Sequence, residues 1–168
     1  MTNSFYFLAQ LQRFAQNSTE KTFLELGAVI PVVYVHSVED GQFKMYVFDF
    51  KQPEKEMEIK SMIVRFVHNL LMKKQFMGAT LAAEAWVAKA GIDESGKPII
   101  KSPRNDPQRE EILIAGAWDE SGNKSMASAT IIRDKSGNKL NPWTIWSEKF
   151  DMWLDRAFIN AEKILSNA

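Results

Sequence analysis

The sequence predicts an α+β domain: a five-stranded, largely antiparallel sheet with helices packed on one face, in the order α-β-β-α-β-β-β-α. Three observations predict it. A D-x-S-G-[NK] turn occurs three times, at 93–97, 119–123 and 134–138. An Asp or Ser early in such a turn bonds its own backbone, and the Gly takes the left-handed conformation that other residues resist. The last two copies separate apolar or alternating runs, as hairpin turns do, which gives an antiparallel meander in the second half of the chain. Two long stretches, 54–76 and 144–166, carry apolar residues at helical spacing. Finally, strands and helices show no sustained βαβ alternation, which argues against a parallel sheet.

The elements follow in order. Phe7, Leu8, Leu11, Phe14 and Ala15 recur at helical spacing and predict a short amphipathic helix over 4–17. Residues 23–37 (FLELGAVIPVVYVHS) are rich in Val, Ile and aromatics and read as a strand. Pro31 cannot donate a ladder hydrogen bond, so this strand lies at an edge, or is broken or bulged there. Glu39-Asp40-Gly41 is a hairpin turn, and 42–50 is the returning strand. Its Phe43, Met45 and Val47 face one way, and Lys44, Tyr46 and Phe48 the other.

Pro53 suits the first turn of a helix, and Glu54, Glu56 and Glu58 suit its positive N-terminus. Ile59, Met62, Ile63, Phe66, Val67, Leu70 and Leu71 form one stripe, with Lys73 and Lys74 at the end. Residues 79–90 (ATLAAEAWVAKA) are rich in alanine but alternate after Gly78, and read as a strand. A long loop, 91–109, holds three prolines. Strands follow at 110–120 and 124–134. Asn141-Pro142 caps a final helix at 144–166, whose face is Trp146, Phe150, Trp153, Leu154, Ala157, Phe158, Ala161, Ile164 and Leu165. No linker splits the chain, so 1–168 reads as one domain.

At 168 residues the chain is long enough to bury a core. Lys plus Arg and Asp plus Glu are each 21, for a net charge of zero. The basic excess of most nucleic-acid binders is lacking, and no nucleic-acid partner is expected. There is no cysteine, which removes disulfides, thiolate metal sites and Cys nucleophiles. No cationic start precedes an apolar run, and no apolar stretch reaches the ~20 residues of a membrane span. The expectation is a soluble, cytoplasmic protein of a bacterium or phage, with no membrane partner.

Motifs for chemistry are sparse. The repeated Asp turn offers one or two carboxylates per copy, too few for calcium, and reads as turn chemistry. The two histidines, His36 and His68, form no H-x-x-x-H pair, and no G-x-S-x-G occurs. Residues 91–97 (GIDESGK) mimic a phosphate loop, but Pro98 replaces the Ser or Thr that would hold magnesium. No metal or cofactor is expected.

The pattern that stands out is Glu84-Ala85-Trp86 followed by 103–111 (PRNDPQREE). A strand places Glu84 and Trp86 on one face. Arg104 and Arg109 are forks for carboxylates, and Arg109 is expected to pair with Glu84. The plain interpretation is an ion-pair network pinning the long loop to the sheet; the functional one is a polar and aromatic binding face. Trp118, on the neighbouring strand, adds to that face if it points the same way, and exposed aromatic patches mark association surfaces.

The E-A-W strand and the downstream P-x-x-D-P-x-R-x-E segment resemble a family of small bacterial and phage proteins of unknown function. Glu84, Trp86, Pro103, Asp106, Pro107, Arg109 and Glu111 carry the resemblance, which covers about 80–133. It implies one α+β domain and no particular activity. The leading expectation is a non-enzymatic binding or assembly domain, with a protein partner or a homodimer, using the sheet face around Glu84, Trp86 and Trp118. The alternative is a small enzyme holding an anionic substrate at Glu84, Arg104, Arg109 and Glu111, under the long loop as a lid.

Overall fold

The computed structural model describes residues 4–88, 91–99, 102–147 and 149–159. It is α+β, and its main sheet has seven strands rather than five. In chain order the elements are α1 (Ser4–Leu26), β1 (Val32–Glu39), β2 (Gln42–Asp49), α2 (Glu56–Met72) and β3 (Phe76–Val87). A short hairpin follows, β4 (Gly91–Ile92) and β5 (Pro98–Ile99). Then come β6 (Glu110–Asp119), β7 (Lys124–Asp134), β8 (Gly137–Leu140) and β9 (Thr144–Ile145). The sheet runs β2-β1-β3-β6-β7-β8, all antiparallel, with β9 beside β8 on the outer edge of β7. The expected element order therefore does not hold: β4, β5, β8 and β9 are added, and the last helix is replaced.

Helix α1 runs nine residues past its expected end. Asn17-Ser18-Thr19 looks like a stop, but the hydroxyls of Ser18 and Thr19 bond back to the Ala15 carbonyl at 3.3 and 2.6 Å and stay inside the helix. Phe23, fully buried, belongs to this helix and not to a strand. The helix ends where Gly27, at φ +74°, donates its N–H to the Phe23 carbonyl. Strand β1 starts just after Pro31 and is interior, between β2 and β3, with a register shift against β3 after His36. The β1–β2 turn is Asp40-Gly41, both left-handed as a tight hairpin requires.

Helix α2 stops at Met72, because Lys74 turns left-handed (φ 55°) and Phe76 to Gly78 are already strand. The alanine-rich segment is indeed a strand; its last two residues, 89–90, lie outside the described ones. The loop 91–109 contains the β4–β5 hairpin and a 3-10 turn at Pro103–Asn105.

Helices cover both faces of the sheet, not one. Helix α1 lies on one face, over β3, β6 and β7; α2 and a 3-10 segment, Trp153–Phe158, lie on the other. Strand alternation divides the core accordingly. Ala79, Leu81, Trp118 and Met126 join Ile63, Val67 and Leu70 of α2, while Ala82, Leu113 and Ile131 join Phe23 of α1. A helix on each side explains why β3 is built of Gly and Ala. An added Cβ on Gly78 would stand 2.5 Å from Leu11 Cδ1.

The final helix expected at 144–166 is absent up to residue 159; the remainder lies outside the described residues. Thr144 and Ile145 pair with β7, and the Trp146 N–H bonds the Met126 carbonyl at 2.9 Å. The apolar residues Trp146, Phe150, Trp153, Leu154, Ala157 and Phe158 do pack in the core, but from an irregular stretch and the 3-10 segment Trp153–Phe158, which lies against α2. Edge pairing with β7 satisfies backbone groups that a helix would have bonded internally, so helical spacing misled here.

Candidate functional site

The residues singled out in the sequence fall in three places. Glu84, Trp86 and Glu111 share the α1 side of the sheet, with Trp86 directly opposite Glu111. Trp118, although on the neighbouring strand, faces the other way. It pairs with Ala79, is fully buried under α2 and adds nothing to an exposed face with Glu84. Arg104 stands exposed in the 3-10 turn Pro103–Asn105, a turn that touches β3.

The expected Glu84–Arg109 pair is not formed. Glu84 Oε1 accepts the Val29 N–H at 2.6 Å. Arg109 lies over the half-exposed Trp86, its Cζ 4.3 Å from the ring centroid. Glu111 meets a residue that the sequence argument did not consider, Arg133, in a two-pronged bond of 2.8 and 3.0 Å. Its hydrogen bonds to Glu111 hold the Arg133 pKa above its ordinary value. Arg133 also donates to the Gly27 carbonyl at 2.9 Å and covers the Phe23 ring. Glu84 and Arg133 thus grip Val29 and Gly27, the turn that leaves α1 for β1. The network pins this turn. Asp106 is buried and caps its own turn through the Gln108 N–H at 2.9 Å.

A different surface is open. Among the described residues, helix α1 reaches Tyr34 and His36 of β1 through Phe14 but leaves the β2 side chains on its face exposed. There Phe43, Met45 and Val47 project in a row at 62%, 47% and 55% exposure. Tyr46 and Phe48, on the reverse of the same strand, pack on Phe66 of α2 at 4.8 and 5.5 Å. Strand β2 is thus apolar on both faces, yet covered on one. That double apolarity is the signal in the sequence for this surface.

Beside the row, a cavity of about 410 Å³ opens between α1 and the sheet. Ser18, Thr22 and Leu26 form its helical wall, and Tyr34, Val47 and Ala82 its floor. Neither Glu84, Arg104, Arg109 nor Glu111 lines it. At the other end of the row, buried His36 sits between Phe14 and Phe43, each ring 5.9 Å away. Burial pushes its pKa down, and its Nε2 has no partner.

Among the described residues no group of three or more His, Asp or Glu could hold a metal, and no helix is long and apolar enough to cross a membrane. The chain matches no family model, no curated protein and no solved structure. Fold and surface define an antiparallel α+β domain in which, among the described residues, the long β2 edge is unpaired and carries an exposed apolar row.

Proposed function

We propose that this chain is a non-enzymatic assembly domain that associates with a second copy of itself through the β2 edge. One observation carries the reading: β2 is an eight-residue edge strand whose outer side chains are apolar and bare. An unpaired edge offers a row of N–H and C=O groups to another strand, and proteins that stay single usually blunt it with Pro, bulges or inward charges. Strand β2 has no Pro, and its pairing with β1 runs without a bulge. Its only Lys, Lys44, is held on the α2 side by Glu39 at 2.9 Å. The opposite edge of the sheet is divided between four-residue β8 and two-residue β9, so β2 is the longer template.

The enzyme alternative at Glu84, Arg104, Arg109 and Glu111 draws no comparable support. Both carboxylates are engaged, Glu84 by Val29 and Glu111 by Arg133, and none of the four residues lines the cavity beside the β2 row. Light scattering over a concentration series tests the assembly reading, with Met45→Lys as the blocking variant. Dimers in the parent chain and monomers in the variant are the expected result. A parent chain that stays monomeric at the highest concentration defeats it.

A further inference from the structure

Resting on that reading, we infer the register of the dimer and its anchor: Phe43 of each copy fills the 410 Å³ cavity of the other. Two β2 strands related by a two-fold axis perpendicular to the sheet pair antiparallel, keeping the same face up. Opposite residues then share a face, and only certain registers exist. Centring the axis on Met45 sets Met45 against itself and Phe43 against Val47, twice. Shifting the centre to Lys44 sets Val47 against Gly41, and shifting it to Tyr46 sets Phe43 against Asp49. Only the Met45 register matches every apolar side chain of the row with another.

That register has a consequence for the cavity. Directly opposed side chains stand about 5 Å apart at Cβ. Phe43 of the second copy therefore arrives beside Val47, and Val47 is part of the cavity floor. Inward of Val47 the space continues over Tyr34, Val32 and Ala82, with the Leu26 side chain above. An aromatic ring entering an apolar pocket near the centre of an interface is the usual form of a binding hot spot. On the reverse face the same register sets Lys44 opposite Tyr46, whose hydroxyl already bonds Glu39 at 2.7 Å, and brings no like charges together.

The absence of cysteine makes the register directly testable. Phe43→Cys and Val47→Cys chains are mixed under mild oxidation, and each is also oxidised alone. Preferential cross-linking of the mixture is expected, because position 43 of one copy faces position 47 of the other. In parallel, Phe43→Ala should weaken the dimer by about tenfold or more, and Phe43→Leu should restore most of it. Phe43 is mostly exposed, so these variants should keep the parent circular dichroism. If the parent dimerises but the mixture shows no preference and Phe43→Ala dimerises as well as the parent, this inference falls while the assembly reading stands. If the parent does not dimerise, both fall.

Discussion

The indole N–H of Trp118 donates to Asp155 Oδ1 at 3.0 Å, joining the C-terminal end of β6 to the 3-10 segment 37 residues on. The other oxygen of Asp155 accepts from Lys124 and, at 2.9 Å, from the Met152 N–H. One carboxylate thereby fastens the C-terminal segment to the sheet. Replacing Asp155 by Ala leaves the Trp118 N–H buried without a partner and Lys124 without its counter-ion. The expected loss is about 1–3 kcal/mol, read from urea unfolding followed by tryptophan fluorescence.

The same carboxyl predicts an acid response. Burial raises its pKa, but the bonds from Lys124, Met152 and Trp118 outweigh that and leave it below the ordinary 3.8. A carboxyl depressed in the folded state adds stability that is present above the unfolded value and is lost as pH falls through the folded one. Unfolding midpoints should therefore drop on acidification below about pH 4. Asp155→Asn should show a shallower drop over the same range.

Trp118 also shows how far the sequence reached. The strands that carry Trp86 and Trp118 are neighbours, as their order suggested, but whether two residues share a face depends on register. Trp118 pairs with Ala79 and not with an even-numbered residue of β3, and the sequence does not supply that one-residue distinction. Hairpin turns at Asp40-Gly41, Asp119 and Asp134 were legible because their chemistry is local: the Asp119 and Asp134 side chains bond the N–H two residues on. The β9 strand was not legible, since its stabilisation comes from β7, and the Glu111–Arg133 bridge spans a turn whose register had to be known first. On β2 the alternation gave the two faces correctly. What it lacked was the path of α1, which decides which side chains of the sheet stay exposed.

His36 predicts a second, milder pH dependence. Burial lowers its pKa below 6.5, and its Nε2 meets no acceptor or donor. A histidine depressed in the folded state takes up its proton more readily when unfolded. Stability is thus full above pH 6.5 and declines as the pH falls through the folded-state value. His36→Phe keeps a ring against Phe14 and Phe43 and removes the titration. Its stability should be flat where the parent's falls, as measured by urea midpoints between pH 7 and about 4.5. Parallel curves would mean that His36 does not couple to folding.

Glu84 and Arg109 should prove independent. Glu84→Ala strands the Val29 N–H and should cost about 1–2 kcal/mol, while Glu84→Gln keeps an acceptor and should cost less. Arg109→Ala removes the stacking on Trp86, about 0.5–1 kcal/mol. Without a shared bond, the double variant should equal the sum of the singles within about 0.5 kcal/mol. A larger coupling in thermal or urea unfolding would restore a direct Glu84–Arg109 pair.

The seam under α1 is tight at Gly78. A Cβ there would sit 2.5 Å from Leu11 Cδ1 and 3.0 Å from the Trp118 carbonyl oxygen. The leucine methyl can rotate aside, but the carbonyl belongs to the β3–β6 ladder and cannot withdraw without breaking it. Gly78→Ala is therefore expected to lift the first half of α1 and to destabilise the fold by about 1–3 kcal/mol, the usual cost of overpacking. Hydrogen exchange should rise first in α1 and the central part of β3. Leu11→Ala relieves half of the clash and loses its own buried side chain, so combining it with Gly78→Ala should cost less than the two separate losses added together. Strict additivity would show that the added methyl acts on the strand ladder alone.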